Sequence, residues 1–427
     1  MTKRNKIPNI NTLKSHPLFV NIASLGLVQL ANYIIPILII PFVVRALGVE
    51  FFGKASYAQN IISYLTLIVT YGFEYSATQD IAIHRENKQK LQTIFWTVIR
   101  FKFILLAISF IALAVLYFTF SKVNEDPQLY IYAALLNVGM VMFPTWFFQG
   151  IEKMGNMALF NFAIKALGAI LVVLLVGSPA DYRNYILILS LSYVIVGVAS
   201  FFYVVKKYDL RGGTKDADLS WNVIRKGFPI FLNNVFVSFY AAIGITVIGI
   251  YLTDYDVGIY SGAYKIIQAV IMLTTMPVSL ALFPVISRKF NNSKVEGWSF
   301  FKKILIIVFI LSVAICAIVF ISSPIIVKLL LGEEFAGAFL VLRYMSVIPG
   351  LVIMASILTV QGLYGLQLQR YAPYVGAAAG LTGLTVSLIC IPILGVLGAV
   401  ITWCIAQLIE IIIVSCIILR YKKITVF

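Results

Sequence analysis

The chain has 427 residues, of which 61% are hydrophobic and only 12% are charged, and its formal net charge at pH 7 is +16. A soluble domain carries about 25% charged residues, and a chain of this length has too small an interior to hide so much apolar surface from water. The composition therefore excludes an ordinary soluble protein. It predicts a membrane protein whose backbone polar groups are satisfied within helices.

About twelve apolar segments are long enough to cross a bilayer as helices, since each crossing needs roughly 20 residues. The first six lie near residues 20–44, 53–77, 94–119, 129–149, 159–177 and 184–205. The second six lie near residues 228–252, 258–285, 304–322, 337–362, 372–393 and 396–419. The first run is too long for the apolar core of a signal peptide, so we expect it to be retained as the first span.

Residues 47–61 and residues 252–266 repeat one pattern, and each segment links one long apolar run to the next. The matching positions are Leu47 with Leu252, Gly53 with Gly258, Ser56 with Ser261, Ala58 with Ala263 and Ile61 with Ile266. A second repeat pairs Gln149-Gly150 with Gln361-Gly362. Both repeats run in the same direction, which is typical of membrane transporters built from two parallel lobes around a central cavity.

The repeats predict two six-helix lobes, an N-terminal lobe of residues 1–205 and a C-terminal lobe of residues 227–427. Residues 206–226 form the longest polar segment, and Arg211-Gly212-Gly213-Thr214 within it suits a flexible cytoplasmic linker. The predicted fold class is therefore an all-α integral membrane protein of about twelve transmembrane helices in two lobes around a central cavity.

The positive charges are concentrated in alternate loops. Lysines and arginines occupy the tail before the first span, the second loop, the central linker, the eighth loop and the C-terminal end, whereas the opposite loops carry several acids. By the positive-inside rule, both termini are predicted to be cytoplasmic, which requires an even number of spans. Topology then explains most of the net charge, and nucleic-acid binding is not predicted.

The motifs of several enzyme and metal-site classes do not occur in the sequence. It has no Gly-x-x-x-x-Gly-Lys-Ser/Thr motif, so we do not expect ATP-driven transport within this chain. The two histidines, His16 and His84, and the four cysteines have spacings that fit neither a zinc site nor a disulfide framework. The sequence therefore predicts a protein that is not an enzyme, has no metal site and uses no cofactor beyond a coupling proton or sodium ion.

Charge inside a membrane is costly and usually serves function, and seven of the charged residues inside or at the ends of the predicted spans are candidates for such a role. The five cations are Arg45, Lys54, Lys165, Lys265 and Arg343, and the two acids are Glu74 and Glu410. The excess of cations predicts a cavity that attracts anions, because a phosphate group needs positive charge and directed donors. We interpret the cations as candidate substrate-binding residues and the acids as candidates for ion coupling or charge pairing.

A second interpretation stays open for several of these residues. Arg45 and Lys54 can instead extend to the membrane surface, since long cationic side chains reach toward water from helix ends. Lys54 and Lys265 lie at comparable places in the two repeats, but Lys265 lies deeper in its span, which favours a cavity role. Glu74 and Glu410 can serve contacts between helices rather than ion transport.

Four stretches of the sequence resemble the polysaccharide flippases of the Wzx type, which form a branch of the multidrug/oligosaccharidyl-lipid/polysaccharide (MOP) exporter superfamily. They are residues 21–33 (NIASLGLVQLANY), 41–53 (PFVVRALGVEFFG), 71–78 (YGFEYSAT) and 146–154 (WFFQGIEKM). The second lobe matches more loosely. The resemblance implies a fold like that of the multidrug and toxin extrusion (MATE) transporters. It also relates Arg45, Lys54 and Lys265 to the lipid II flippases, which place cations on their first, second and eighth helices.

The resemblance also implies a function and a location. The protein would move undecaprenyl-pyrophosphate-linked oligosaccharide repeat units from the cytoplasmic to the outer leaflet of the bacterial inner membrane, by alternating access with ion coupling. Such units supply O-antigen, capsule or exopolysaccharide synthesis. The implied partners are this lipid-linked glycan, membrane lipids and the polysaccharide polymerase machinery.

Other functions remain to be weighed against the flippase. A cation-coupled drug or toxin antiporter of the same superfamily shares the fold, and it is favoured if buried acids rather than cations prove essential. The intramembrane charges and the repeat argue against a membrane scaffold. A polysaccharide polymerase is expected to have a long outer loop, which the sequence lacks.

Overall fold

The computed structural model describes the backbone of residues 17–210 and 216–426, and the side chains of residues 34–422 apart from 211–215, 239–241, 276, 277, 280, 281, 284 and 291. His16, the basic N-terminal tail and the centre of the predicted linker therefore lie outside the described residues. So do the side chains of residues 21–33, the first stretch that resembles the flippases.

The described residues are almost entirely helical, as the composition predicts. The α-helices are α1 (Pro17–Thr70), α2 (Phe73–Ile83), α3 (Lys88–Thr119), α4 (Ser121–Glu125), α5 (Pro127–Met142), α6 (Thr145–Gly150), α7 (Met154–Leu175), α8 (Tyr182–Lys207), α9 (Ala217–Tyr251), α10 (Asp254–Asn292), α11 (Lys294–Leu330), α12 (Ala338–Met345), α13 (Ile348–Ser356), α14 (Ala372–Leu394) and α15 (Val396–Val426). Short 3₁₀ turns lie at Pro179–Asp181, Glu333–Phe335 and Gln369–Tyr371, and a π-helix covers Ile357–Tyr364.

Ten helical segments of the described chain are long and apolar enough to cross a membrane, and Ala217–Ser238 with Ala242–Tyr251, bent by 52°, makes an eleventh. The first segment, Ile34–Ile83, has 50 residues. At 1.5 Å per residue it would be about 75 Å long, more than twice the hydrocarbon thickness of a bilayer. It therefore contains two crossings, and the prediction of an all-α protein with about twelve spans is confirmed.

The first long helix is interrupted at a glycine. Gly48 has φ 68° and ψ 175°, a backbone conformation that residues with a Cβ atom rarely adopt, so the chain changes direction there. A second interruption follows at Gly72, whose φ is 81°, between α1 and α2. The interruption at Gly48 lies between predicted spans one and two, whereas the interruption at Gly72 lies inside predicted span two, residues 53–77.

Helix α10 begins with a capping box formed by Thr253 and Asp256. The Thr253 hydroxyl accepts a hydrogen bond from the backbone N–H of Asp256 at 3.2 Å, and the Asp256 carboxylate accepts from the Thr253 N–H at 3.1 Å. This reciprocal capping box satisfies two N–H groups that have no partner within the helix. It separates α10 from α9 and explains why the seventh and eighth spans are distinct helices.

The chain forms two compact units. The first unit comprises the described residues up to Leu38, Leu65–Leu175 and Ile186–Phe231. Its core is aromatic, and Phe95 packs against Trp96, Trp146, Phe147 and Phe201 with ring centres 5.5–5.8 Å apart. Edge-to-face and tilted rings at these distances add stabilisation beyond the area they bury.

The second unit comprises Ile39–Tyr64, Val176–Tyr185 and Leu232–Phe427. Its core includes Ile286, Phe290, Phe301 and Val414. The unit also contains both repeated segments, 47–61 and 252–266, which pack against each other through Gly53 and Gly258. The predicted lobes at 1–205 and 227–427 follow the repeats rather than the packing, and they stay a prediction.

Candidate functional site

Lys265 is a predicted cation of the second unit whose hydrogen-bond and ring contacts among the described residues are all with neutral side chains. Its ammonium lies 4.7 Å from the centre of the Phe52 ring and 3.5 Å from Oε1 of Gln59. The same Gln59 side chain makes a hydrogen bond with the hydroxyl of Tyr185. The face of an aromatic ring and an amide oxygen hold an ammonium in place without cancelling its charge. Among the described residues no acid pairs with the Lys265 ammonium, so its charge is not compensated by a neighbour.

Polar side chains continue along α1 beyond Gln59. The amide nitrogen of Asn60 donates to the hydroxyl of Thr246 at 2.7 Å, and the Tyr64 hydroxyl lies 3.0 Å from the same Thr246 oxygen. These groups come from α1 and from the end of α9 that belongs to the second unit. Amide and hydroxyl groups are the donors and acceptors that a phosphate or sugar would use.

Lys54 has a different environment, although it too lies within a repeated segment. Its ammonium lies 3.5 Å from a Glu50 carboxylate oxygen and 5.0 Å from the centre of the Phe51 ring. Glu50 is 59% exposed, and the two residues are spaced i, i+4 on one helical turn. The charge of Lys54 is therefore compensated locally, whereas no described acid pairs with Lys265.

Arg45 contacts the end of another helix. Its side chain is exposed, and its Nη2 donates to the carbonyl oxygen of Leu329 at 3.3 Å. Leu329 lies in the last turn of α11, where carbonyl groups have no intrahelical partner and the helix dipole is negative. The structure gives Arg45 a stabilising role at this helix end, and its predicted contact with substrate stays untested.

Arg343 lies in α12 with its guanidinium stacked against two rings. The distances to the ring centres are 4.9 Å for Phe320 and 5.7 Å for Phe339. Its Nε is buried and has no hydrogen-bond partner among the described residues. Like Lys265, it is a cation held by aromatic rings, but it lies among different helices of the second unit.

The remaining predicted cation, Lys165, lies in the first unit. Its ammonium donates to the Tyr193 hydroxyl at 2.8 Å and lies 5.1 Å from the centre of the same ring. In this unit Glu74 lies in the first turn of α2, where a carboxylate is favoured by the helix dipole. The Thr145 hydroxyl lies 2.6 Å from each of the two Glu74 carboxylate oxygens.

Lys102 is a buried charge that is not among the seven candidate residues of the sequence. Its side chain is 1% exposed, and its ammonium donates to the carbonyl oxygen of Met140 at 2.9 Å. That carbonyl lies in the last turn of α5, which ends where Phe143 becomes extended, and Pro144, four residues after Met140, has no N–H to give. Lys102 supplies the missing donor, and its charge interacts electrostatically with Glu74. Its position within the apolar run 94–119 is the sequence feature that indicates a buried charge.

Glu410 lies in α15 of the second unit, and neutral side chains donate to it. The Thr359 hydroxyl and the Gln407 amide reach its carboxylate oxygens at 3.2 and 3.4 Å. Thr359 belongs to the π-helix Ile357–Tyr364, in which Gln361 is fully buried and donates to the Ser279 carbonyl at 3.1 Å. π-Helical turns are rare and frequently accompany functional sites.

The histidine and cysteine side chains of the described residues have no metal-binding arrangement. His84 lies 2.9 Å from the carbonyl oxygen of Asp80, four residues earlier in the chain. Cys316, Cys390, Cys404 and Cys416 are free thiols. Across the described part of the chain, no group of three His, Cys, Asp or Glu side chains is arranged to hold a metal ion.

Comparison with known proteins agrees with this architecture. Residues 18–290 match the family model described as polysaccharide biosynthesis protein. The chain is 28% identical over 386 residues to an Escherichia coli (strain K12) protein named "Putative O-antigen transporter", covering 90% of this chain and 92% of that protein. A Shigella dysenteriae protein of the same name is 28% identical over 345 residues, covering 79% of this chain and 84% of that one.

Solved structures share the fold at low sequence identity. An inward-facing MATE family transporter of the MOP superfamily has a TM-score of 0.74 at 15% identity, covering 95% of this chain and 99% of that chain. The lipid II flippase MurJ, in an inward closed conformation, has a TM-score of 0.65 at 12% identity, covering 92% of this chain and 86% of that chain. The chain thus has the fold of the MOP superfamily, and it belongs to the polysaccharide biosynthesis protein family.

Proposed function

We propose that the protein is a flippase for undecaprenyl-pyrophosphate-linked oligosaccharide repeat units. It moves them by alternating access from the cytoplasmic to the outer leaflet of the bacterial inner membrane, for O-antigen, capsule or exopolysaccharide synthesis. Its family, the name of its Escherichia coli relative and the fold shared with a lipid II flippase support this proposal. The charge distribution supports cytoplasmic termini.

The observation that carries the proposal is the neutral surrounding of Lys265. A pyrophosphate that enters the membrane interior needs a cation whose charge is not already cancelled by an acid, because only that charge offsets the loss of its hydration. The ammonium of Lys265 lies against Phe52 and Gln59, whereas that of Lys54 is paired with Glu50. We therefore place the pyrophosphate next to Lys265, with the amides of Gln59 and Asn60 as additional polar contacts.

We also propose that a proton or sodium ion drives transport through the two intramembrane acids. Glu74 and Glu410 lie in different units, and each accepts hydrogen bonds from neutral side chains. The substitutions Glu74→Gln and Glu410→Gln remove the titratable charge but keep the shape. If an acid couples transport to an ion, its Gln variant should lose most transport while the variant protein is present in the membrane at a normal level. Normal transport by both variants would remove the acids from the mechanism.

The direct test replaces Lys265 in a strain that depends on this protein for its surface glycan. We expect Lys265→Ala to lower surface glycan about tenfold or more, the value of one charge-assisted hydrogen bond, and to raise lipid-linked intermediate in the cytoplasmic leaflet. Lys265→Arg, which keeps the charge, should retain part of the activity. The matched control is Lys328→Ala, since Lys328 is exposed and pairs with exposed Glu333.

The outcomes separate the two transporter classes. Normal surface glycan in Lys265→Ala at equal protein level in the membrane contradicts a role for this residue in cargo binding. The antiporter is identified instead by two results together. A strain that lacks the protein makes normal surface glycan, and that strain loses a drug resistance that depends on Glu74 or Glu410.

A further inference from the structure

The charged ends of α11 and α15 meet through two reciprocal contacts. The ammonium of Lys294, the first residue of α11, lies 5.8 Å from the centre of the Tyr421 ring on α15. The ammonium of Lys422 on α15 lies 5.5 Å from the centre of the Trp298 ring on α11. We call these four residues, which all belong to the second unit, the α11–α15 cluster.

The cluster lies where two spans leave the membrane. After its charged start, α11 is wholly uncharged from Ile304 to Val327, and α15 is uncharged from Ile411 to Leu419 before it reaches Arg420. Aromatic and cationic side chains at such a boundary lie at the level of the lipid head groups. The cluster therefore faces phosphate groups rather than acyl chains.

The charge around the cluster is strongly one-sided. The cations in residues 288–303 and 420–423 are Arg288, Lys289, Lys294, Lys302, Lys303, Arg420, Lys422 and Lys423, and the only acid in these ranges is Glu296. A group of four to eight cations next to a span attracts anionic lipids, and basic pockets between spans bind their head groups. The excess of positive charge favours an anionic head group over a zwitterionic one.

Trp298 provides an unused hydrogen-bond donor in the same place. The residue is only 9% exposed, and its Nε1 has no hydrogen-bond partner among the described residues. A buried donor without a partner is costly, and a phosphate oxygen would satisfy it. The flexible Lys422 side chain, which covers the ring, has the rotamer freedom to turn toward the same phosphate.

The surface next to the cluster suits acyl chains. Just beyond the charged start of α11, Ile306, Ile307 and Phe309 are 53–60% exposed. A soluble phosphate would gain nothing from this apolar surface, whereas a phospholipid can place its chains there while its head group stays with the lysines. The combination of a cationic cluster and an adjoining apolar face therefore fits a lipid.

We propose that the α11–α15 cluster is a binding site for the phosphate of an anionic phospholipid, held by Lys294, Lys422 and the indole N–H of Trp298. This site is separate from Lys265 and does not depend on the proposed cargo. A bound lipid bridges the ends of α11 and α15, so it stabilises the second unit against the separation of these helices.

The test uses the full-length protein in detergent with added lipid. We expect phosphatidylglycerol to raise the midpoint of thermal unfolding more than phosphatidylcholine does. In Lys294→Gln/Lys422→Gln, the affinity for phosphatidylglycerol should fall about tenfold or more. Trp298→Phe, which keeps a ring and removes the N–H, should weaken it to a lesser degree. Lys328→Gln, an exposed lysine at the other end of α11, is the matched control and should bind like the unchanged protein.

Three results overturn the proposal. The first is an equal response to phosphatidylglycerol and phosphatidylcholine. The second is a double variant and a Trp298→Phe variant that both bind phosphatidylglycerol as the unchanged protein does. The third is an equal rise of the midpoint with inorganic phosphate alone, which would assign the cluster to a soluble anion. If the double variant does not fold, the single Trp298→Phe variant and the phosphate comparison still decide between these outcomes.

Discussion

Gly53 and Gly258, which occupy the same position in the two repeats, each press against the backbone of the other repeat. A Cβ atom on Gly53 would lie 1.9 Å from the Asp254 carbonyl oxygen, and one on Gly258 would lie 2.1 Å from the Val49 carbonyl oxygen. Asp254 is itself the repeat position of Val49. The contact is therefore reciprocal, as it is in a two-fold symmetric interface, and only glycine allows the two backbones to come so close.

This contact predicts that alanine is harmful at both positions. Gly53→Ala and Gly258→Ala should each destabilise the second unit by about 1–3 kcal/mol, the usual cost of forcing a methyl group into a closely packed site. The effects of the two substitutions should be similar because the contact is reciprocal. Thermal unfolding of the purified variants in detergent measures the loss, and surface glycan reports transport.

Gly177→Ala is the matched control for both variants. An added Cβ at Gly177 meets no atom within 4 Å, so this substitution should leave the unfolding midpoint nearly unchanged. Equal midpoints for Gly53→Ala, Gly258→Ala and Gly177→Ala would show that the repeats do not need this close approach.

Lys102 is predicted to stabilise the first unit through the carbonyl that Pro144 leaves without a donor. Lys102→Met keeps the length of the side chain but removes its donor, and we expect a loss of about 1–3 kcal/mol, the cost of an unsatisfied buried polar group. In a Lys102→Met background, Pro144→Ala restores a backbone N–H four residues after Met140 and should recover part of the loss. A double-mutant cycle on unfolding midpoints measures this coupling.

The control for this cycle is Lys328→Met, which removes an exposed ammonium. Strictly additive effects of Lys102→Met and Pro144→Ala would mean that the ammonium does not substitute for the missing backbone donor.

Asp80 and Lys226 form an ion pair in the first unit whose two members differ in burial. Lys226 Nζ lies 2.6 Å from Asp80 Oδ1, and the side chains are 50% and 2% exposed. Lys226→Met leaves a buried carboxylate without its cation, whereas Asp80→Asn leaves a lysine that water can solvate. We therefore expect Lys226→Met to be the more destabilising variant, by about 1–2 kcal/mol after allowance for the exposed lysine. Comparison of the two unfolding midpoints in one detergent tests this order, and the reverse order would contradict it.

Arg45 is predicted to act on stability more than on cargo. Arg45→Met removes the donor to the Leu329 carbonyl and should cost about 0.3–1 kcal/mol, the value of a cation at a helix C-terminus. Arg45→Lys should keep most of this stability. If Arg45→Met abolishes surface glycan at normal stability, as we expect of Lys265→Ala, then Arg45 contacts the cargo after all.

Much of the fold could be predicted because hydropathy is a local property. The apolar runs at 94–119 and 372–393 correspond to α3 and α14, since a length of about 20 apolar residues is sufficient to define a span. Interruptions inside spans were harder to predict. The π-helix Ile357–Tyr364 lies within an apolar run whose hydropathy does not distinguish it from an ordinary helix.

The structure gives the predicted site residues different surroundings, which their positions in the sequence do not reveal. Lys54 and Lys265 each lie within one of the repeated segments, yet Lys54 is paired with Glu50 while Lys265 contacts Phe52 and Gln59. The i, i+4 spacing of Glu50 and Lys54 was a usable signal. The contact of Lys265 joins positions far apart in the chain, so it depends on the packing of α1 against α10.

Length, hydropathy and repeated patterns are properties of segments, so they predict an all-helical membrane protein with an internal repeat before any contact is known. The folded chain then shows which charges are compensated, that Lys102 donates to the Met140 carbonyl, and that Gly53 and Gly258 meet. These features depend on packing because the energy of a charge or a glycine is set by the groups within a few ångströms of it. Those groups come from distant parts of the chain.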